Sequence, residues 1–396
     1  MSYSQAQLGR VAKLIRGIAF KPEERVPVGS LGSIVCLRTA NIQDVLRDTD
    51  LIAVPRDKVS RDEQRVRQGD ILVSSANSWN LVGKCAAVPC LDYDAAAGAF
   101  ISILRPQRSV VDARYLYRWL SDDQTQHRVR QCARQTTNIA NLSAERFLSL
   151  RLPLPPLAEQ QRIAAILDKA DAVRRKRREI LRLLDEFLRS AFLEMFGDPV
   201  RNEKGWDRKR LRDIAVVTTG NTPPRSHSEY YGDTIEWIKS DNINTPGHYV
   251  TRAKEGLSLR GRQLGRTVGA GAILMTCIAG TKDCIGNVAV TDREVAFNQQ
   301  INAVEPRRDV DHRFVYVQFL VGKGLVQRAS TDSMKGMVSK SRLEDVQVLN
   351  PPSHMQQKFG EWFTRWHTVY SKQCQAADTA EALFDSLSQR AFQGEL

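Results

Sequence analysis

The chain has 396 residues, and its 58 Lys and Arg residues exceed its 45 Asp and Glu residues, for a formal net charge of +13. This length allows two or three packed domains, and the excess of positive charge favours an anionic partner, either nucleic acid or a membrane surface. No apolar run approaches the ~18 residues needed to cross a bilayer, and the N-terminus lacks the apolar core of a signal peptide, so we expect a cytoplasmic protein without a membrane partner.

The seven cysteines show no metal-site or disulfide pattern. No Cys-x-x-Cys pair occurs, the six histidines are scattered, and the odd cysteine count argues against a disulfide framework. We therefore expect buried thiols and no metal site in this chain.

Taken in chain order, the predicted elements form two globular units, each followed by a long helix. Apolar runs between turn residues predict strands at 34–37, 70–74 and 84–88, followed by a helix near 111–121. A long helix is predicted from 157 to about 196, after Pro155-Pro156 and before Gly197. The second unit has predicted strands at 234–238, 272–276 and 287–291, a helix near 311–321, and a second long helix from about 354 to 392. The fold class is therefore α+β.

The order of these elements reflects a tandem duplication. Pro-Pro at 155–156 precedes the first long helix, which carries Gln-Gln at 160–161 and Ala-Phe at 191–192, and the same pairs recur at 351–352, 356–357 and 391–392. The globular units repeat more faintly, with 34–42 resembling 235–243 and 68–74 resembling 270–276. A duplicated binding module indicates a target with two parts.

Apolar residues in both long helices alternate at spacings of three and four, which predicts a coiled-coil seam. The predicted seam residues are Ile163, Ile166, Ala170, Val173, Ile180, Leu184 and Phe187 in the first helix, and Phe359, Trp362, Trp366, Val369, Leu383 and Leu387 in the second. Because the second globular unit lies between the helices, we expect them to pair in antiparallel fashion. The alternative is two amphipathic helices that each pack on their own unit. The basic run at 174–178 fits a solvated surface, or contact with DNA phosphates.

Polar and basic residues in the predicted loops are candidates for DNA contact. Arg and Lys pair with guanine edges, Asn with adenine, and Ser or Thr with phosphate, although polar loops rich in glycine are also ordinary turns. The candidates are Arg38, Thr39, Asn41, Asn77, Asn80, Arg134, Thr136 and Asn138 in the first unit, and Asn221, Thr222, Arg225, Lys239, Ser240, Asn242, Lys282, Lys335, Ser339 and Lys340 in the second.

Catalytic motifs are incomplete. Asn350-Pro351-Pro352-Ser353 resembles the base-gripping loop of amino-methyltransferases, but Ser353 replaces its aromatic residue, and a Pro-Pro helix start explains the motif better. A phosphate-binding loop and the serine-hydrolase and zinc-protease motifs are absent from the sequence. We therefore expect no catalytic residues.

Residues 152–169, LPLPPLAEQQRIAAILDK, closely resemble the conserved region of the specificity (S) subunit of type I restriction-modification systems. The segments 220–223, 237–241 and 297–300 are similar to recurring parts of that family's target recognition domains. The chain departs from the pattern at 353–356 in the second helix and at 98–101 in the first unit.

This resemblance implies two target recognition domains, 1–152 and 199–350, separated by two conserved helical spacers, 153–198 and 351–396, that form an antiparallel coiled coil. It implies a non-catalytic subunit in which each domain reads one half of a bipartite DNA target and the coiled coil sets the gap and docks two adenine methylation subunits. S-adenosylmethionine, ATP and Mg would be bound by those subunits and by the restriction subunits, not by this chain. The alternatives are a protein-binding coiled-coil adaptor and a fused DNA adenine methyltransferase.

Overall fold

The structure is a computed structural model that describes residues 3–137, 139–244, 247–331 and 336–396. These residues divide into two compact units, Met1–Arg178 with Ala376–Leu396 and Glu179–Gln375. The first long helix is Leu157–Phe196 and the second is Ser353–Gln393, so each contributes one part to each unit. The long-helix bounds agree with the sequence prediction.

The elements before the first long helix are β1 (Gln5–Gln7), α1 (Leu8–Val11), β2 (Ala12–Arg16), β3 (Ser33–Leu37), β4 (Ile52–Pro55), β5 (Ile71–Ser74), β6 (Ala76–Asn77), β7 (Cys85–Ala87), β8 (Ala95–Ala97), β9 (Ile101–Pro106), α2 (Ala113–Ser121), α3 (Asp123–Gln131), β10 (Ala133–Gln135), β11 (Ala140–Leu142), α4 (Ala144–Leu148) and β12 (Arg151–Pro153). The first long helix is α5.

The elements after α5 are β13 (Arg208–Arg210), α6 (Leu211–Ile214), β14 (Ala215–Thr219), β15 (Tyr231–Ile238), β16 (Gly256–Leu257), α7 (Leu259–Leu264), β17 (Thr267–Val268), β18 (Ile273–Thr276), β19 (Val288–Val290), β20 (Val295–Phe297), β21 (Ile301–Pro306), α8 (His312–Val321), α9 (Lys323–Arg328), α10 (Lys340–Glu344) and β22 (Gln347–Leu349). The second long helix is α11.

Both units use the same sheet design. The first has an antiparallel sheet β2-β9-β5-β7 and a second sheet β4-β3-β8, and the second unit has the corresponding sheets β14-β21-β18-β19 and β16-β15-β20-β17. In each unit one strand pair is parallel, β3 with β8 and β15 with β20. The first unit also contains the small sheet β10-β11-β6. The duplication seen in the sequence therefore extends to strand order.

The central strand of each unit is covered on both faces, which explains its continuous apolar sequence. In β18, Ile273 and Met275 join one hydrophobic cluster and Leu274 joins another. In β5, Ile71 and Val73 face one cluster, and Leu72 faces the other. Alternate side chains of a strand point to opposite faces, so each apolar run serves two cores.

The long helices pair in antiparallel fashion within each unit, and the predicted fold class is confirmed. In the first unit, Ile163 near the start of α5 shares a core with Ala391 near the end of α11. In the second unit, Phe192 near the end of α5 contacts Phe359 near the start of α11, with ring centroids 5.4 Å apart.

The buried face of the long helices includes most of the predicted seam but does not coincide with it. Ile163, Phe359 and Trp366 are buried, and Ile166, Ala170, Ile180, Leu184, Trp362 and Leu387 are partly buried. Four predicted seam residues are about half exposed, namely Val173 (49%), Phe187 (55%), Val369 (49%) and Leu383 (54%).

The reason is that each long helix packs against a globular core as well as against the other long helix. A seam with two residues per heptad assumes one neighbour, and a second neighbour widens and rotates the buried face. Leu167, Leu188, Phe363 and Tyr370 are accordingly buried, although the seam pattern omits them. The alternative of helices packed on their own units is thus partly present as well.

Candidate nucleic-acid interface

In the second unit, several predicted loops meet around the turn between β20 and β21. The Gln300 carbonyl accepts hydrogen bonds from the Cys277 and Ile278 amides at 2.8 and 3.1 Å, which fixes the loop after β18. The Ser240 hydroxyl donates to Gln300 Oε1 at 3.5 Å, and the Thr222 hydroxyl bonds Gln299. Thr222 and Ser240, from two separate loops, therefore lie on one surface.

Gly220 allows the first of these loops to leave β14. A Cβ atom at this position would lie 2.2 Å from the Asn298 carbonyl oxygen, so only glycine fits this close backbone approach. Gly17 occupies the equivalent position in the first unit, where a Cβ would lie 2.2 Å from the Gly98 carbonyl. The same close approach of two backbone segments therefore occurs in both repeats.

Two cations of this surface share one carboxylate. Arg225 pairs with Glu255 Oε2 at 3.0 Å, and Lys239 pairs with Glu255 Oε1 at 2.6 Å. The Arg225 guanidinium lies 4.5 Å from the Tyr231 ring centroid and 5.0 Å from that of Trp237. The hydrogen bond from Lys239, followed by that from Arg225, lowers the pKa of Glu255 and keeps it ionised. The cations are therefore held in place and partly neutralised.

Two of the six asparagines proposed to read bases, Asn41 and Asn242, are buried instead. Asn41 is 1% exposed, accepts a hydrogen bond from the Arg38 amide at 2.8 Å and donates to the Arg47 and Thr49 carbonyls. Asn242 makes the equivalent bond from the Lys239 amide at 3.0 Å. Because all of their hydrogen-bonding groups serve the loop, we correct their assignment to positioning residues.

Asn221 is also engaged by its own unit. Its Nδ2 donates to the Leu264 carbonyl at 2.8 Å, and its Oδ1 accepts from the Arg266 amide at 2.9 Å. These bonds tie the loop after β14 to the segment after α7. We therefore regard Asn221 as fixing the loop from which Thr222 and Arg225 project.

Among the remaining candidates of the second unit, Lys282 follows β18, Ser339 precedes α10 and Lys340 is the first residue of α10. Lys282 is exposed in a turn. The amide of Val338 bonds the Cys277 carbonyl at 2.9 Å, which brings this segment beside the loop after β18. Ser339 accepts from the Arg342 amide and caps α10, and Lys340 is exposed near Glu344 at 3.6 Å. Ser339 is thus a helix cap, its contact with DNA stays a prediction, and Lys335 lies outside the described residues.

The first unit repeats the central turn with other side chains. The Phe100 carbonyl accepts from the Ser75 and Ala76 amides at 2.9 and 3.3 Å, as the Gln300 carbonyl does in the second unit. Phe100 itself is 61% exposed. Arg38, which aligns with Lys239, pairs with Asp50 at 2.8 Å, and Thr39 lies in the short turn that follows.

The other candidates of the first unit lie on and beside the small sheet. Asn77 donates to Ser74 Oγ at 3.2 Å, and Asn80 and Arg134 are exposed. The Thr136 hydroxyl donates to the Ile139 carbonyl at 2.7 Å. β6 joins β11, which places Asn77 opposite Ala140. Asn138 lies outside the described residues.

Sequence reasoning overlooked the partners of these cations and the exposed aromatic residue. Glu255 and Asp50 belong to no sequence motif. They pair with Lys239 and Arg38 because a later loop of each unit folds back beside the cation. Phe100 could have been found, because it aligns with Gln300 across the duplication and is a large apolar residue in a turn.

The buried thiols behave as expected for packing residues. Burial raises the pKa of Cys36 to about 11 and the pKa of Cys85 and Cys277 to about 12, so these thiols remain protonated. Cys90 is exposed and departs from the expectation. Within the described ranges, His, Cys, Asp and Glu form no group that could hold a metal ion. Across the same ranges, every helix is too short or too polar to cross a bilayer.

Comparison with known proteins gives the family. Residues 12–182 and 203–368 match the model of the type I restriction modification DNA specificity domain. The chain belongs to this family. The two matched segments coincide with the two halves of the duplication, so this specificity-subunit chain carries two copies of the domain.

Named relatives agree with this assignment. The specificity subunit of the type I restriction enzyme StySPI from Salmonella potsdam is 23% identical, over 100% of this chain and 89% of the relative. The EcoKI subunit of Escherichia coli K12 is 29% identical over 46% of this chain, and the HindI subunit of Haemophilus influenzae is 28% identical over 37%. The matches span only 40% and 32% of the EcoKI and HindI subunits.

Solved structures share the fold. The S subunit of a type I restriction-modification system from M. genitalium has a TM-score of 0.59 at 14% identity, covering 99% of this chain and 96% of that one. A chain from a study of complex assembly of the type I R-M system has a TM-score of 0.52 at 16% identity, covering 100% and 98%. At such identities the likeness describes the fold alone.

Proposed function

We propose that this specificity-subunit chain recognises a bipartite DNA sequence, with 1–152 and 199–350 as its target recognition domains. Each domain reads one half of the target. The helical segments 153–198 and 351–396 set the gap between the halves and dock two adenine methylation subunits. Those partners bind S-adenosylmethionine, and restriction subunits bind ATP and Mg, in a cytoplasmic complex.

The observation that carries this proposal is the repetition of one loop surface with different side chains. The glycine at the close backbone approach is Gly17 in the first repeat and Gly220 in the second. The buried loop asparagine is Asn41 in the first repeat and Asn242 in the second. The side chain at the corresponding turn position differs, with the exposed Phe100 in one repeat and the partly buried Gln300 in the other. A shared frame with altered contact residues suits two different half-sites, since base edges are distinguished by side-chain chemistry.

The test is to map methylated adenines in cells expressing the chain with its methylation partner, in wild type and in two loop variants. Lys282→Ala in the second unit is expected to relax one half of the motif, and Arg134→Ala in the first unit to relax the other. Each lost base contact costs about 1–3 kcal/mol of discrimination. The proposal fails if both variants alter the same half, or if wild type methylates without a bipartite motif.

A further inference from the structure

We infer that Glu255 is a specificity-determining residue, which raises discrimination by competing with DNA for Arg225 and Lys239. The inference rests on the proposed function and deepens it. Glu255 gives one oxygen to each cation, at 3.0 and 2.6 Å. DNA must therefore replace two ion pairs before these side chains can contribute to binding.

The geometry keeps the two cations in place. Arg225 stacks on Tyr231 and Trp237, and Lys239 Nζ lies 5.2 Å from the centroid of the Trp237 ring. Glu255 is fixed through its main chain, since its carbonyl accepts from the Trp237 amide at 3.1 Å. The Arg225 side chain is 55% exposed and that of Glu255 is 43% exposed, so a duplex can reach them.

The carboxylate affects matched and unmatched DNA differently. A phosphate attracts any nearby cation. This attraction adds little binding free energy when the cation already has a carboxylate partner. A guanine offers two acceptors in fixed positions, which match the planar guanidinium. Hydrogen bonds to guanine therefore compensate for the lost ion pair with Glu255. Glu255 therefore suppresses binding to unmatched sequence more than binding to the target.

The first repeat also pairs a loop cation with a carboxylate, but it uses different residues. Arg38 aligns with Lys239 and pairs with Asp50, whose side chain is 84% exposed. Asp50 has φ of 56°, a strained conformation for a residue other than glycine, and it also offers its carbonyl to Arg38 at 2.6 Å. Arg38 Nη2 therefore bonds both the carboxylate and the carbonyl of Asp50, and DNA must displace these bonds to reach it.

The experiment measures binding of the assembled complex, this chain with its methylation partner, to three duplexes. One carries the methylation motif mapped for wild type, and the other two have one half scrambled. The control is Glu203→Gln, which removes the same charge from an exposed pair with Arg201 in the turn after α5. Glu255→Gln is expected to raise affinity for the duplex scrambled in the half read by the second unit by about fivefold, and target affinity much less.

A second readout is the salt dependence of binding to the scrambled duplex, which a merely structural role would not steepen. Freeing two cations is expected to steepen the log–log slope by about one to two for Glu255→Gln, with Glu203→Gln unchanged. Arg225→Lys keeps the charge but loses the fork, so it is expected to weaken target binding without raising binding to scrambled DNA.

Equal changes on target and scrambled duplexes, or an unchanged slope, would overturn the role of Glu255. A wild-type complex that does not distinguish the target from either scrambled duplex would instead overturn the proposed function. The two failures are therefore separable.

Discussion

At the scale of single residues, the paired glutamines at the start of each long helix divide into a buried member and an exposed one. Gln160 accepts from the Asp112 amide at 2.8 Å and donates to the Pro155 carbonyl at 2.8 Å. Gln356 makes the corresponding bonds to the Asp311 amide and the Pro351 carbonyl, at 3.2 and 2.8 Å. The Pro-Pro…Gln repeat therefore joins each long helix to the helix α2 or α8 beside it.

Gln160→Ala is expected to lower the free energy of unfolding by about 2–3 kcal/mol, because it removes the partner of the Pro155 carbonyl in a buried bond and of the Asp112 amide in a partly buried one. Gln161→Ala is the matched control, since Gln161 is exposed, and it is expected to change stability by less than about 0.5 kcal/mol. Urea unfolding of both variants measures the difference. Equal stability of the two variants would show that the buried bonds do not anchor the helix.

The sequence predicted the repeat of these glutamines but not their role. Neighbouring Gln160 and Gln161 look alike in the sequence, and only the position of the helix against α2 decides which one is buried. The loops show the same limit of sequence-based prediction. The amide side chains of Asn41 and Asn242 could bond a base, but both point into the protein.

At the scale of elements, an aromatic layer holds α11 in the second unit. Trp366 is 5% exposed, stacks on Tyr370 at 5.0 Å and donates its indole N–H to the Leu184 carbonyl at 3.2 Å. Val369, which was predicted to share its seam, is 49% exposed. The periodicity predicted the helix and its antiparallel partner, but it did not predict the width of the buried face.

Trp366→Ala is expected to destabilise the protein by about 3–5 kcal/mol, because it leaves a cavity in this layer. Val369→Ala on the same helix is expected to cost less than about 1 kcal/mol. Urea unfolding followed by circular dichroism distinguishes them. A larger loss of stability for Val369→Ala than for Trp366→Ala would instead support the seam predicted from the sequence.

His367 gives α11 a dependence on pH. Burial, assisted by nearby His248, lowers the pKa of His367 below its ordinary value of 6.5. The unfolded chain therefore takes up a proton before the folded chain does, and stability falls as the pH drops below about 6.5.

His367→Gln is expected to reduce the loss of stability between about pH 7.5 and pH 5.5. His354→Gln, at an exposed position in the first turn of α11, is the control and should leave that loss unchanged. Urea midpoints at the two pH values measure it. An unaltered pH dependence in His367→Gln would contradict the stated effect of burial.

At the scale of the whole molecule, each of the two long helices of the duplication contributes residues to both units. The repeat, the positive charge and the conserved helical motif were sufficient to predict the family and the α+β fold. The contacts of individual loop residues were not, because they depend on segments distant in the sequence, such as the one that carries Glu255.

If the coiled coil sets the gap between half-sites, its length is expected to control target spacing. Insertion of four residues near Lys176, with a matching insertion in α11, adds about 6 Å of helix, against ~3.4 Å of duplex per base pair. The methylated motif is expected to gain one or two base pairs in its gap. Unchanged spacing in a methylation assay would reject this role for the helices.

The most direct test of the account is a map of adenine methylation in cells that contain the methylation partner, with and without this chain. We expect a bipartite motif, methylated in both halves, that disappears when the chain is deleted and returns when it is restored. A motif that persists without the chain, or no such motif while the assembled complex is intact, would contradict its role in DNA recognition.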